Sequence, residues 1–353
     1  MKIATEPIGS IPRPQYLQNA LAAYASNEIK QDELDRLMNQ AVEETIKLFE
    51  DTGSPVITDG EQTKPSFVTY PVHGLSSLAQ DGVVIPFADG HTRQLPRLTA
   101  SPFTYQSYAS SYLTKARSLT SLPVKQSVIS VSALSLLYPA DGLPGYTREQ
   151  FIADLIDEAE KDIRACFDAG AHSVQIDFTD ARLAIKLDPS KELLKSFIDM
   201  NNQVLERLDQ YKNQIGIHSC PGGDHDSTHS ADVTYADLLP ELFRLKAGSF
   251  YLEYAAETDR RMVLELIQAN SDPSQKIFLG VTDVLNPRVE TPEEIMDMIL
   301  EAASVLPVER IGTTDDCGFS PFADDTSTSR DTAFAKIRAR VEGTALAEKA
   351  LGL

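Results

Sequence analysis

Short apolar runs recur along the chain at intervals that long amphipathic stretches fill. Eight of them predict brief strands, at residues 2–8, 56–59, 124–130, 173–177, 215–218, 249–253, 276–281 and 310–314. Most are β-branched runs followed by polar residues or glycine, the pattern of strands buried on both faces. Between them the spacing changes to the helical period. Phe151, Ile152, Leu155, Ile156, Ala159, Ile163 and Cys166 share one helix face, and Gly170 ends that helix. A second such face runs from Leu193 to Leu208. In Thr291-Pro292-Glu293-Glu294-Ile295 the threonine suits an N-cap, the proline the first helical position and the glutamates the positive helix end. Eight strands alternating with helices predict an α/β fold, a (β/α)8 TIM barrel formed by residues 1–353 as one domain, with a doubly wound open sheet as the competitor. One stretch, 65–123, breaks the rhythm with many Pro, Tyr, Ser and Thr residues. It reads as an insertion after the second strand, near the barrel mouth, and its residues 83–91 read as a hairpin with an Asp-Gly turn.

Composition narrows the class. The 353 residues carry a net charge of −20, which repels nucleic acid and anionic membranes on average. No run is long enough to span a bilayer, and the start lacks the layout of a signal peptide, so the expected compartment is cytoplasmic. Three cysteines cannot form an even disulfide set, so packing, metal binding or catalysis is expected of each. Cys166 lies on an apolar helix face and reads as packing.

The other two cysteines lie in segments that could close one metal site: Ile217-His218-Ser219-Cys220, Tyr251-Leu252-Glu253 and Asp315-Asp316-Cys317-Gly318. His218 and Cys220, two apart on an extended chain, point to the same side. Glu253 ends a strand in apolar surroundings, where a carboxylate needs a partner; Glu257 is the fallback ligand. One imidazole, two thiolates and one carboxylate suit tetrahedral Zn2+ in preference to Mg2+ or Ca2+. His225 and His229, in the loop that follows, read as solvated polarity, with substrate contact as the alternative. Other strand ends add Ser10, Arg13, Asp59, Glu61, Asp177, Asp180 and Asp283. Any single carboxylate could close a buried salt bridge, but so many suggest a site for a cationic amine or an acid/base step.

Taken in order, Ile8-Gly9-Ser10-Ile11-Pro12-Arg13-Pro14, Thr58-Asp59-Gly60-Glu61, Val174-Gln175-Ile176-Asp177, Ile217-His218-Ser219-Cys220, Gly280-Val281-Thr282-Asp283 and Asp315-Asp316-Cys317-Gly318-Phe319 resemble the catalytic domain of cobalamin-independent methionine synthase. The likeness is closer still to its single-barrel relatives, among them the epoxyalkane:coenzyme M transferases. The resemblance implies Zn2+ on His218, Cys220 and Cys317, with Glu253 as fourth ligand. It implies a small-molecule thiol such as homocysteine, held by Ser10, Glu61 and Asp177 and attacking an alkyl donor, with a folate or corrinoid as candidate methyl donor. Arg13 would add an anion contact or pair with Glu61 or Asp59. The sequence departs from the synthases in having no tryptophan to stack on a pterin. It also has Leu285 where they carry an acidic histidine, which leaves Asp283 as the candidate for proton handling. These departures weigh against methyltetrahydrofolate and leave the zinc–thiolate half intact. The expected function is a zinc-dependent thiol alkyltransferase. Thiol addition to an epoxide or other electrophile, a metal-free decarboxylase-like barrel and a non-enzymatic thiol- or corrinoid-partner-binding protein are the rivals. Self-association into a homo-oligomer is compatible with the sequence.

Overall fold

The structure, a computed structural model, describes residues 2–353. Its centre is a curled parallel sheet of seven strands: β1 (Ala4–Thr5), β2 (Gln126–Ile129), β3 (Val174–Asp177), β4 (Ile215–Ser219), β5 (Ser249–Leu252), β6 (Lys276–Gly280) and β7 (Ile311–Thr314). Their order is β1-β7-β6-β5-β4-β3-β2, so apart from the β1–β7 contact every strand lies beside its neighbour in chain order. The eighth expected strand, 56–59, is reduced to one parallel bridge between Ile57 and Val124 at the β2 edge. Beyond that bridge the chain turns: Thr58 Oγ1 donates to the Gly9 carbonyl, and Ile11 N–H to the Gly60 carbonyl.

The helices are α1 (Gln15–Ala25), α2 (Gln31–Asp51), α3 (Ala109–Arg117), α4 (Val131–Ser135), α5 (Arg148–Asp168), α6 (Asp180–Leu187), α7 (Glu192–Arg207), α8 (Tyr235–Leu242), α9 (Arg260–Asn270), α10 (Pro292–Ala303) and α11 (Arg330–Leu351). The expected face of α5 is the buried one, and Cys166 is enclosed within the main core. Thr291 caps α10 as its sequence predicts: its Oγ1 accepts from Glu294 N–H while the Glu294 carboxylate accepts from Thr291 N–H.

Every strand residue of β2, β3, β4, β5 and β7 is buried. Below the strand ends lies a polar cluster: Lys125 Nζ donates to Gln175 Oε1 at 2.8 Å and stands 3.7 Å from Glu6, which also accepts from Tyr251 Oη. The 65–123 segment holds two short antiparallel ladders and α3. One ladder pairs Val84–Pro86 with Thr92–Gln94 across the expected Asp89-Gly90 turn. Among the described residues no helix is long and apolar enough to cross a membrane.

Candidate metal centre

The site gathers where β3, β4, β5 and β7 end. Parallel register sets Asp177 of β3 directly beside His218 of β4, and Tyr251 of β5 on the other side of His218. Asp177 Oδ1 lies 3.0 Å from His218 Nδ1, and Gln175, two residues earlier on the same face, donates to that oxygen at 2.7 Å. The ring is 2% exposed, and its Nε2 has no hydrogen-bond partner. An orphaned nitrogen in so buried a place is costly unless something binds it.

Cys220, two residues on, and Cys317, from the loop after β7, supply two buried sulfurs 3.0 Å apart, too far for a disulfide. One ligand atom each from His218, Cys220 and Cys317 lie within 4.8 Å of one another, a group that could hold a metal ion. The electrostatics favour a thiolate already. Cys220 S–H donation and the His218 imidazole hold the Cys317 thiol well below its usual range, despite burial. Sharing a proton with Cys317, together with burial, pushes Cys220 up. Burial alone would lower His218, but Asp177 and Cys317 raise it to about 9. An unpartnered imidazole nitrogen, held from behind by a carboxylate and facing two sulfurs of which one is readily ionised, fits the donor set of a thiophilic cation.

Glu253 does not join these three. Its carboxylate is 3.2 Å from Arg182 Nη2, and burial pushes it up to about 8 against the pull of that arginine. Arg182, 2% exposed and stacked over Tyr235, also binds Glu257 at 2.6 Å, so both candidate carboxylates share one cation. The loops carrying Glu253 and Cys317 are tied together by Asp316, whose carboxylate accepts from the backbone N–H groups of Tyr254, Ala255 and Ala256.

Beside the three residues is a cavity of about 30 Å³ whose lining includes Ser10, Glu61, Asp177, His218 and Cys317. Glu61 is buried, accepting from Lys64 Nζ at 2.9 Å and Ser127 Oγ at 2.5 Å. Ser10 Oγ lies so close to Gly318 that a Cβ there would meet it at 2.2 Å. Arg13 is not in the lining. Its guanidinium donates to the carbonyls of Ser320, Phe322, Glu61 and Lys64, so it clamps loops together and reaches Glu61 through the backbone, not the carboxylate. Asp283 faces a separate cleft with Arg260, Arg288 and Glu290. Leu285 stands against Gly223, which itself approaches Cys317.

Of the two loop histidines, His225 is half-exposed and near Arg93, as loop polarity predicts. His229 departs from that reading. It is 7% exposed, its Nδ1 bonds Ser230 Oγ, and its ring meets Phe87 edge-on. The reason is Gly222, whose φ of +73° lets the loop fold back so tightly that a Cβ there would be 1.8 Å from His229 Nε2. Arg182, Lys64 and Gln175 were the residues sequence reasoning passed over. Gln175 had a signal, a polar residue alternating with Asp177 on one strand face; Lys64 and Arg182 had none apart from their charge.

Comparison with known proteins bears on the same segments. Residues 3–342 match the family described as the catalytic domain of cobalamin-independent synthase. Curated relatives include 5-methyltetrahydropteroyltriglutamate–homocysteine methyltransferases of Bradyrhizobium diazoefficiens, 24% identical over 89% of this chain, and Mycolicibacterium paratuberculosis, 26% identical over 90%. The chain spans only 38% and 40% of the length of those two relatives. Among solved structures, a B12-independent methionine synthase from Shewanella in complex with selenomethionine superposes with a TM-score of 0.78 at 19% identity, covering 99% of both chains. A putative vitamin-B12-independent methionine synthase from Listeria monocytogenes gives 0.69 at 21%, covering 98% of each. These two likenesses concern the fold.

Proposed function

The chain belongs to the family of cobalamin-independent methionine synthase catalytic domains, and on that premise we propose that it is a cytoplasmic, zinc-dependent thiol alkyltransferase. Methyl transfer to homocysteine or a similar thiol is the leading form. The observation that carries the proposal is the convergence of His218, Cys220 and Cys317 with the His218 Nε2 left without a partner. A zinc ion held there would lower the pKa of a substrate thiol and keep it ionised near neutral pH. Glu253 is the fourth ligand in this reading, with Glu257 as the alternative; either must leave Arg182 to reach the metal.

The chain's own residues do the rest. Glu61 and Asp177, two carboxylates on one cavity wall, hold the ammonium of an amino-acid thiol, and Ser10 meets its carboxylate. Arg13 supports this wall by fixing the loop that bears Glu61. Asp177 also fixes the His218 ring. Asp283, the candidate for proton handling, faces the separate cleft with Arg260 and Arg288, and its charge reaches the site through Glu253. The curl of the sheet and the Ile57–Val124 bridge support a (β/α)8 barrel with its seam between β1 and residues 56–59, and 65–123 as an insertion within one domain.

One observation favours a second reading for the electrophile. Leu285, not an acid, stands against Gly223, which approaches Cys317, so the side chain at this position offers no proton to a leaving folate nitrogen. Addition of the thiol to an epoxide then becomes the alternative. The test is to incubate zinc-loaded protein with homocysteine and, separately, methyltetrahydrofolate, methylcobalamin or an aliphatic epoxide, reading products by mass spectrometry. Methylated thiol supports the leading form, and adduct from the epoxide alone supports the second. No product from any donor sinks both.

A further inference from the structure

Next to the thiol cavity lies a second chamber of about 50 Å³. The two share Phe67, Thr179, Gly222 and Gly223, so they meet beside Cys317. The second is walled by Ile85, Phe87 and Leu95 of the 65–123 segment on one side and by Ala133, Leu136 and Leu183 on the other. Its charged members are almost all matched. Arg93 donates to both oxygens of Asp224 and to Asp324, and burial keeps His229 neutral, down to about 4.

Asp180 is the exception. It is 5% exposed, Ser130 Oγ donates to its Oδ1 at 2.8 Å, and its Oδ2 has no partner. Of the residues lining this chamber, only Asp180 carries a buried polar side-chain atom left unsatisfied. Burial with no cation beside it favours the protonated form of a carboxyl over the ion, and a protonated carboxyl is a hydrogen-bond donor.

We propose that this chamber binds the alkyl donor, an apolar electrophile whose leaving oxygen or nitrogen requires a proton, and that Asp180 delivers that proton from its carboxyl group. This rests on the thiol-alkyltransferase reading above and adds the donor's site and chemical class. The sulfur–carbon bond forms as the carbon–heteroatom bond breaks, and the leaving atom takes the bonding pair together with the Asp180 proton. The proton the thiol released on binding restores the carboxyl through solvent. The sum is thiol plus alkyl donor giving thioether plus protonated leaving group. Burial pushes the Asp180 carboxyl up to about 6, against the pull of the Ser132 and Ser130 hydroxyls, which suits a general acid working near neutrality.

The test compares donors that differ in their need for a proton. Full-length, zinc-loaded protein and its Asp180→Asn variant, matched for zinc content and circular dichroism, are given homocysteine with 1,2-epoxybutane or with methyl iodide, whose leaving group needs no proton. Asp180→Asn is expected to lose kcat/KM on the order of 10²-fold with the epoxide and to stay within about twofold with methyl iodide. Equal loss with both donors, or loss with neither, overturns the role of Asp180. Turnover of methyl iodide alone by the wild type also overturns it, yet leaves the thiol-activating site standing. Turnover of neither donor removes the alkyltransferase reading and this inference with it. Where Asp180→Asn fails to fold, Ala133→Leu, which fills the chamber, carries the test. Its KM for the epoxide is expected to rise roughly tenfold, with zinc content unchanged; an unchanged KM overturns the placement.

Discussion

His218 is held on three sides. The sheet fixes its backbone between Asp177 and Tyr251, Asp177 Oδ1 fixes Nδ1, and only Nε2 remains for a ligand. Carboxylates behind metal-binding imidazoles set the tautomer and strengthen the ligand. Asp177→Ala is therefore expected to weaken zinc binding by roughly 10- to 100-fold in a competition titration against a chromophoric chelator. Unchanged affinity would mean that Asp177 faces substrate only. Gln175→Ala should show the same effect in milder form, since its amide reaches the same carboxylate oxygen. The cysteines need no such support, because each is placed by a turn: Gly222 N–H donates to Cys220 Sγ, and the Asp316 carboxylate anchors the chain immediately before Cys317.

Two elements outside the main sheet enclose the chamber beside the thiol cavity. The loop after β4 and the 84–94 hairpin are joined by Ala88 N–H to the Thr228 carbonyl, by Arg93 to Asp224, and by Phe87 against His229. His229 makes this junction sensitive to acid. Burial lowers its pKa from 6.5 to about 4, so the unfolded chain binds a proton that the folded chain refuses within that window. The contribution is fully present above pH 6.5 and is lost as pH falls toward 4, amounting to about 3 kcal/mol. Urea midpoints measured from pH 7 to pH 4 should fall less steeply for His229→Gln than for the wild type; parallel curves would contradict this. The loop also marks where the sequence stopped being legible. The hairpin and its Asp-Gly turn, the strand after residue 215 and the α10 cap could be read from local patterns. That His229 would be buried could not, because it depends on a left-handed Gly222 and on an aromatic residue 142 positions away in sequence. The same holds for Arg182, whose pairing with Glu253 and Glu257 joins α6 to the loop after β5.

For the whole molecule, the alternation of apolar runs and helical faces was enough to indicate a parallel α/β sheet. Seven of the expected runs entered it in one continuous order. The eighth, 56–59, formed only a bridge, because its polar residues bind the first loop through side chains and turns instead of a ladder. The sheet's function in the site is to bring the ends of distant strands together: 97 residues separate the two sulfurs that lie 3.0 Å apart. The proposed chemistry requires those sulfurs and His218 to hold zinc. Its most direct test is elemental analysis of wild type and Cys317→Ser, purified without chelators and dialysed side by side. About one zinc per chain in the wild type and a loss of most of it in the variant is the predicted result. Less than about 0.3 zinc per chain in intact wild-type protein, or full retention by Cys317→Ser, would contradict it.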